Sequence, residues 1–288
     1  MGGCMLCPRR CGADRENGRV GACGADKVIR IARAAPHYWE EPCISGTKGS
    51  GAVFFAGCPL GCVYCQNKVI SAGGVGRAYS VGELADLFLS LQSQGVHNIN
   101  LVTPTHFTPQ IAEALDKAHL SVPVVYNCSG YELPETLEML RGRVGIFLPD
   151  FKYADGALAK RYSRTEDYPE VALAAIEKML ELVGEPTFDA DGMMVSGVIV
   201  RHMVLPNHTD NSMKALRMLK KAFGDRLLVS IMSQYTPMPN LPFEELSRPV
   251  TFDEYELVLD YADHLGITSG FRQEGGAVGE SFIPDFEV

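Results

Sequence analysis

Between residues 51 and 240, short apolar runs alternate with amphipathic stretches. Six runs, Ala52–Ala56, Ile99–Val102, Val122–Tyr126, Gly145–Pro149, Gly197–Val204 and Leu227–Met232, are rich in Val, Ile and Leu, as strands covered on both faces are. The intervening stretches carry helix signals. Ser80-Val81-Gly82-Glu83 is a capping box opening a helix with Leu84, Leu87, Phe88 and Leu91 on one stripe, stopped by Gly95. Thr108-Pro109 supplies an N-cap and a first-turn proline ahead of Ile111, Ala114, Leu115 and Ala118. Glu170–Val183 repeats apolar residues at helical spacing up to Gly184, and Thr251-Phe252-Asp253-Glu254 is a second capping box. Repeated strand–helix–strand units force a parallel sheet, coiled by right-handed crossovers into a barrel or an open doubly wound sheet. Pattern alone leaves both open, and in either one ligands gather at the carboxyl ends of the strands.

Composition adds bounds. With 288 residues, 46% of them hydrophobic, the chain forms one large domain with a small appendage. No apolar run follows Met1-Gly2-Gly3-Cys4, so no signal peptide is expected, and no stretch approaches the roughly 18 apolar residues of a membrane span. A reducing, cytoplasmic location is the expectation, because nine cysteines, an odd number, argue against a disulfide framework. A net charge of −9 without a long basic run disfavours nucleic acid as a partner.

The candidate chemistry lies directly after the first run, in Gly57-Cys58-Pro59-Leu60-Gly61-Cys62-Val63-Tyr64-Cys65-Gln66-Asn67. Three thiolates at Cys-x3-Cys-x2-Cys spacing can hold three irons of a cubane and leave the fourth without a protein ligand. A structural zinc site needs a fourth ligand, and the loop contains no His. An open metal position marks chemistry.

This loop, with Tyr64 before its third cysteine, resembles that of the radical S-adenosylmethionine superfamily. The resemblance implies a four-iron, four-sulfur cluster on Cys58, Cys62 and Cys65. S-adenosylmethionine would chelate the free iron and be cleaved reductively to a 5′-deoxyadenosyl radical that abstracts a hydrogen atom. It also selects the architecture, a partial (β/α)6 TIM-type barrel open on one side. Residues 48–240 would form it, after a cysteine-rich metal-binding module at 1–47 and before a helical extension at 241–288. Polar residues at the strand ends become cofactor candidates: Tyr64 and Asn67 in the loop, Thr103 and Thr105 after the second run, Asn127 and Ser129 after the third. The second run ends Val102-Thr103-Pro104-Thr105-His106, where many members have Gly-Gly-Glu-Pro.

Asp150-Phe151-Lys152 and Arg201-His202-Met203-Val204-Leu205-Pro206 resemble segments of the enzymes that activate glycyl radical enzymes, with the Asp-x-Lys near the cofactor's carboxylate. A simple salt bridge is the structural alternative for Asp150 and Lys152, and a buried pair with Asp150 is the alternative for Arg201. The likeness implies a partner glycyl radical enzyme, whose glycine would lose its α-hydrogen, and a flavodoxin- or ferredoxin-type reductant. Modification of another peptide or a small molecule is a second reading. A non-catalytic cluster or electron-transfer protein is a third.

Cys4, Cys7, Cys11 and Cys23, spaced Cys-x2-Cys-x3-Cys-x11-Cys, suit either a tetrahedral zinc site or another cubane, with the knuckle-like spacing favouring zinc.

Overall fold

The computed structural model describes residues 3–273 and Phe286. Its strands in chain order are β1 (Ile29–His37), β2 (Ser50–Phe55), β3 (Arg77–Tyr79), β4 (Ile99–Val102), β5 (Val124–Cys128), β6 (Ile146–Pro149), β7 (Thr187–Phe188), β8 (Met194–Met203), β9 (Leu228–Met232) and β10 (Gly270–Arg272). They hydrogen-bond in the order β10-β9-β8-β6-β5-β4-β2-β1-β3, with β7 paired to β8. Neighbours from β2 through β9 along this order are parallel. The strand path does not close on itself, which gives the open partial (β/α)6 barrel.

The six expected strands all form, with ends displaced by a few residues. Val122 and Pro123 fall outside β5, since proline has no N–H for the ladder. Met194 joins β8 because it pairs with β7 in a hairpin. Both capping boxes form, Ser80 with Glu83 and Thr251 with Glu254. Each cap is worth about 1 kcal/mol. Thr108 is a correction. It is the first helical residue rather than the cap, because a 3-10 turn over Thr105–Phe107 runs into the helix.

Within residues 1–47, β1 is a strand of the main sheet, antiparallel to β2 and β3. Its Ile29 and Ile31 are buried while Arg30 and Arg33 interrupt the apolar pattern. The C-terminal extension carries the expected helix, Phe252–His264, and also β10, parallel to β9. Residues 274–285, 287 and 288 of that extension lie outside the described residues.

Inside the barrel, polarity changes by layers. The short helix Pro42–Ser45 packs Cys43 and Ile44 against Val125, Ile146, Leu148 and Ile199. Strand alternation places Asn127 two residues beyond Val125, Asp150 two beyond Leu148 and Arg201 two beyond Ile199, on the same inner face. An apolar floor thus gives way to polar side chains towards the carboxyl ends of the strands.

Candidate active site at the carboxyl ends of the strands

The cysteine loop begins at Gly57, whose φ of 92° would strain a side chain. A Cβ there would lie 2.6 Å from the Cys23 carbonyl oxygen. Cys58, Cys62 and Cys65 line a cavity of about 490 Å3. The same cavity is lined by Tyr64, Asn67, Thr103, Asn127, Ser129, Asp150, Lys152 and Arg201. Burial pushes the Cys58 thiol up to about 12, and Cys65 and Cys62 add to the shift. The Cys65 thiol is raised by burial and by Cys62. Thiols held neutral in this way become ligands when a bound metal deprotonates them. Ser163 donates its hydroxyl to Cys62 Sγ at 3.1 Å. Tyr153 bonds Ser163 at 2.8 Å and accepts from Tyr64 at 2.7 Å.

The N-terminal module grips this loop from behind. The Arg9 guanidinium donates to the carbonyls of Pro59, Leu60, Ser163 and Arg164, and Cys58 N–H donates to the Cys23 carbonyl at 3.0 Å. Gly24 and Gly73 meet backbone to backbone, where a Cβ on either would lie within 2.2 Å of a carbonyl oxygen. Within the module, a Cβ on Gly21 would meet Cys11 Sγ at 3.2 Å and Cys23 Sγ at 3.5 Å, so this glycine leaves the two thiols their space. Among the described residues, no three Cys, His, Asp or Glu side chains converge as ligands of a single metal ion. The ligands of a cubane, each on a different iron, need not converge on one point.

On the opposite wall an ion network joins three strand ends. Lys152 Nζ lies 2.6 Å from Asp150 Oδ2, and Arg201 Nε lies 3.3 Å from Asp150 Oδ1. Arg201 also reaches Glu40 Oε2 at 3.0 Å and Asn127 Oδ1 at 2.5 Å. Glu40 Oε1 accepts from Asn100 at 3.0 Å and Asn127 at 3.3 Å. Burial opposes ionisation of Asp150, yet Lys152 and Arg201 hold its carboxyl below the usual range. The Lys152 ammonium is likewise raised against burial by Asp150 and Cys62. Asp150, Lys152 and Arg201 are thus partners of one another and also line the cavity.

Thr105 is a correction. It is buried away from the cavity and donates to Glu132 Oε1 at 2.6 Å, because the chain turns into a 3-10 helix there. His106 is buried too, with Nε2 2.8 Å from the Ala56 carbonyl oxygen. Arg9, Glu40, Glu41 and Ser163 belong to the site or its support and escaped the sequence reading. The acidic pair ahead of Pro42 is the one visible cue among them.

The family model described as Radical SAM superfamily matches residues 52–219, more than half of the chain. An uncharacterized protein of Methanocaldococcus jannaschii is 27% identical over 274 residues, 92% of this chain and 75% of that protein. Among solved structures, a radical SAM methyltransferase from Sphaerobacter thermophilus superposes with a TM-score of 0.56 at 16% identity, covering 78% of this chain and 67% of that one. Methylornithine synthase (PylB) gives 0.50 at 13%, covering 80% and 70%. Streptococcus suis SuiB bound to precursor peptide SuiA gives 0.50 at 12%, covering 76% and 46%, so this chain spans about half the length of SuiB. These likenesses extend to the fold. With the matched region covering the barrel strands and the three-cysteine loop, the chain belongs to the radical SAM superfamily, which implies a four-iron, four-sulfur cluster and S-adenosylmethionine.

Proposed function

We propose that Cys58, Cys62 and Cys65 hold the four-iron, four-sulfur cluster and that the enzyme removes a hydrogen atom from a polypeptide. A glycine of a partner glycyl radical enzyme is the first candidate. One observation carries the reading: the three thiols open onto the same cavity as Asp150, Lys152 and Arg201. Three soft donors on one wall suit a cubane with an open corner, and the Ser163 hydroxyl on Cys62 suits an anionic sulfur. When bound, the cluster and S-adenosylmethionine supply reductive cleavage of the sulfonium and a 5′-deoxyadenosyl radical. Lys152 and Arg201 offer charge for a carboxylate, and Thr103, Asn127 and Ser129 offer polar atoms around it. Tyr64, packed among Tyr153, Tyr162 and Tyr235, keeps water from the loop's inner side.

The polypeptide substrate is supported by the open barrel and by the fold shared with a protein that was solved with its precursor peptide. Cys4, Cys7, Cys11 and Cys23 hold a second metal centre in this reading. The knuckle-like Cys-x2-Cys spacing supports zinc there, and Cys7-Pro8 supports a cluster.

Anaerobic reconstitution and reduction by flavodoxin or dithionite, followed by assay of 5′-deoxyadenosine and methionine, tests the core of the proposal. Wild type should form both products and Cys62→Ala neither; equal yields would refute the assignment. A glycyl radical resonance on incubation with a candidate partner supports the glycine reading. Deuterium passing from a labelled peptide or small molecule into 5′-deoxyadenosine replaces it with another substrate. A cluster resonance indifferent to S-adenosylmethionine would make the protein an electron carrier.

A further inference from the structure

We propose that Glu41, with Glu40 beside it, forms a subsite for a cationic head group of the substrate, an ammonium or guanidinium such as a lysine or arginine side chain carries. The proposal rests on the radical reading above and adds the chemistry of what enters the cavity.

Glu41 sits between β1 and the helix Pro42–Ser45, is 8% exposed and lines the cavity. Among the described residues, its Oε2 is buried without a hydrogen-bond partner. A buried carboxylate with an unpaired oxygen is costly, so a balancing group is expected. The cations on the cavity wall are already engaged. Arg201 is shared among Glu40, Asp150 and Asn127, and Lys152 lies on Asp150. Arg272 pairs with Asp263. His37, also on the wall, has its pKa lowered by burial and by Arg33 and Arg201, which leaves it neutral at pH 7. Glu40 and Asp150 thus balance Arg201 and Lys152, and Glu41 is the acid left over.

Burial raises the Glu41 carboxyl, with Arg201 opposing and Glu40 adding to the rise. An entering cation would favour the ionised form. The neighbouring Ser230 belongs to β9, at the opposite end of the strand order from β2 and its cysteine loop. Tyr38 and Trp39, 54% and 57% exposed, precede the acidic pair, and Trp39 lines the cavity. Aromatic faces at an entrance attract cations.

The test uses the reconstituted protein without reductant, so that binding is read apart from turnover. Nα-acetyl-lysine methylamide and Nα-acetyl-arginine methylamide are titrated in the presence of S-adenosylmethionine, against the neutral Nα-acetyl-norleucine methylamide. The cationic probes should bind at least tenfold more tightly than the neutral one. Glu41→Gln should weaken them at least tenfold and change S-adenosylmethionine affinity less than twofold. Equal binding of the neutral probe, or cationic binding undiminished in Glu41→Gln, overturns the subsite. An equal loss of S-adenosylmethionine affinity assigns Glu41 to the cofactor and also overturns it, while leaving the proposed function standing. Glu41→Gln should melt at or above the wild-type temperature, since it removes a buried carboxyl whose Oε2 has no hydrogen-bond partner. A lower melting temperature, or failure to fold, marks a structural acid and overturns the proposal. Absence of S-adenosylmethionine cleavage in wild type would instead count against the radical reading.

Discussion

Arg9 Nε donates to the Pro59 carbonyl at 2.8 Å, tying the N-terminal module to the three-cysteine loop. The same guanidinium reaches the carbonyls of Leu60 at 2.9 Å, Ser163 at 2.7 Å and Arg164 at 2.8 Å. A planar fork can satisfy several carbonyls at once, which a lysine ammonium cannot do in the same geometry. Arg9→Ala should lower stability by about 2 kcal/mol, given the usual worth of charge-assisted hydrogen bonds, and Arg9→Lys should not restore it. Iron bound by the loop should fall at least twofold. Iron and sulfide analysis after reconstitution, with melting curves, checks both effects; full iron content in Arg9→Ala would show that the loop orders itself.

The hydroxyl of Ser163 is expected to tune whatever Cys62 binds. A hydrogen bond to a thiolate sulfur lowers its electron density and favours the reduced cluster. Ser163→Ala should shift the midpoint potential to more negative values, read by a redox titration monitored by electron paramagnetic resonance. A shift in the positive direction would contradict this.

Glu132 makes stability depend on pH. Burial lifts its carboxyl from 4.5 to about 8, although Thr105, Cys128 and Tyr126 hydrogen bonds pull the other way. Between those values the folded protein keeps the proton and the unfolded chain releases it, so stability falls as pH rises. Buried His106 and His202 have folded values of about 4 against 6.5. There the unfolded chain takes the proton first, and stability falls as pH drops from 6.5 towards 4. Of these three groups, Glu132 alone acts between pH 6.5 and 8, where it contributes a loss on the order of 2 kcal/mol. Glu132→Gln should flatten that decline in urea unfolding. An unchanged slope would assign it to other groups.

Gly130 lets two strand ends meet. Its φ is 76°, and a Cβ would lie 2.2 Å from the Asp150 carbonyl oxygen. Gly130→Ala must therefore displace the end of β6 or its own turn, at a cost on the order of 1–3 kcal/mol. Because Asp150 positions Lys152 and Arg201, S-adenosylmethionine affinity should fall about tenfold with it, a loss equivalent to about 1.4 kcal/mol. Equilibrium dialysis with the labelled cofactor measures this, and wild-type affinity would show that Asp150 is not displaced.

The strands from Ser50–Phe55 to Leu228–Met232 were legible because parallel strands buried on both faces appear as continuous apolar runs. β1 escaped because it alternates Ile with Arg and includes Pro36. Proline is tolerated there because β3 pairs only with Ile29–Ile31, so that among the described residues Pro36 has no strand on that side. The helix Thr209–Phe223 also escaped, its apolar stripe hidden among Lys and Arg residues.

By itself, the sequence determined the three-thiol loop, the alternation that builds the sheet, both capping boxes and the acid–base pair Asp150 and Lys152. These depend on spacing within a few residues, so local geometry is enough to read them. Tertiary structure decided that Arg9 clamps the loop, that Glu40 completes the Arg201 network, that Glu41 Oε2 is buried without a hydrogen-bond partner among the described residues, and that Thr105 turns away. Such contacts join residues far apart in the chain, and the register of the sheet and the crossing of the Pro42–Ser45 segment over the barrel floor bring them together. No periodicity encodes that meeting, because it exists only once the strands have curved around a shared interior.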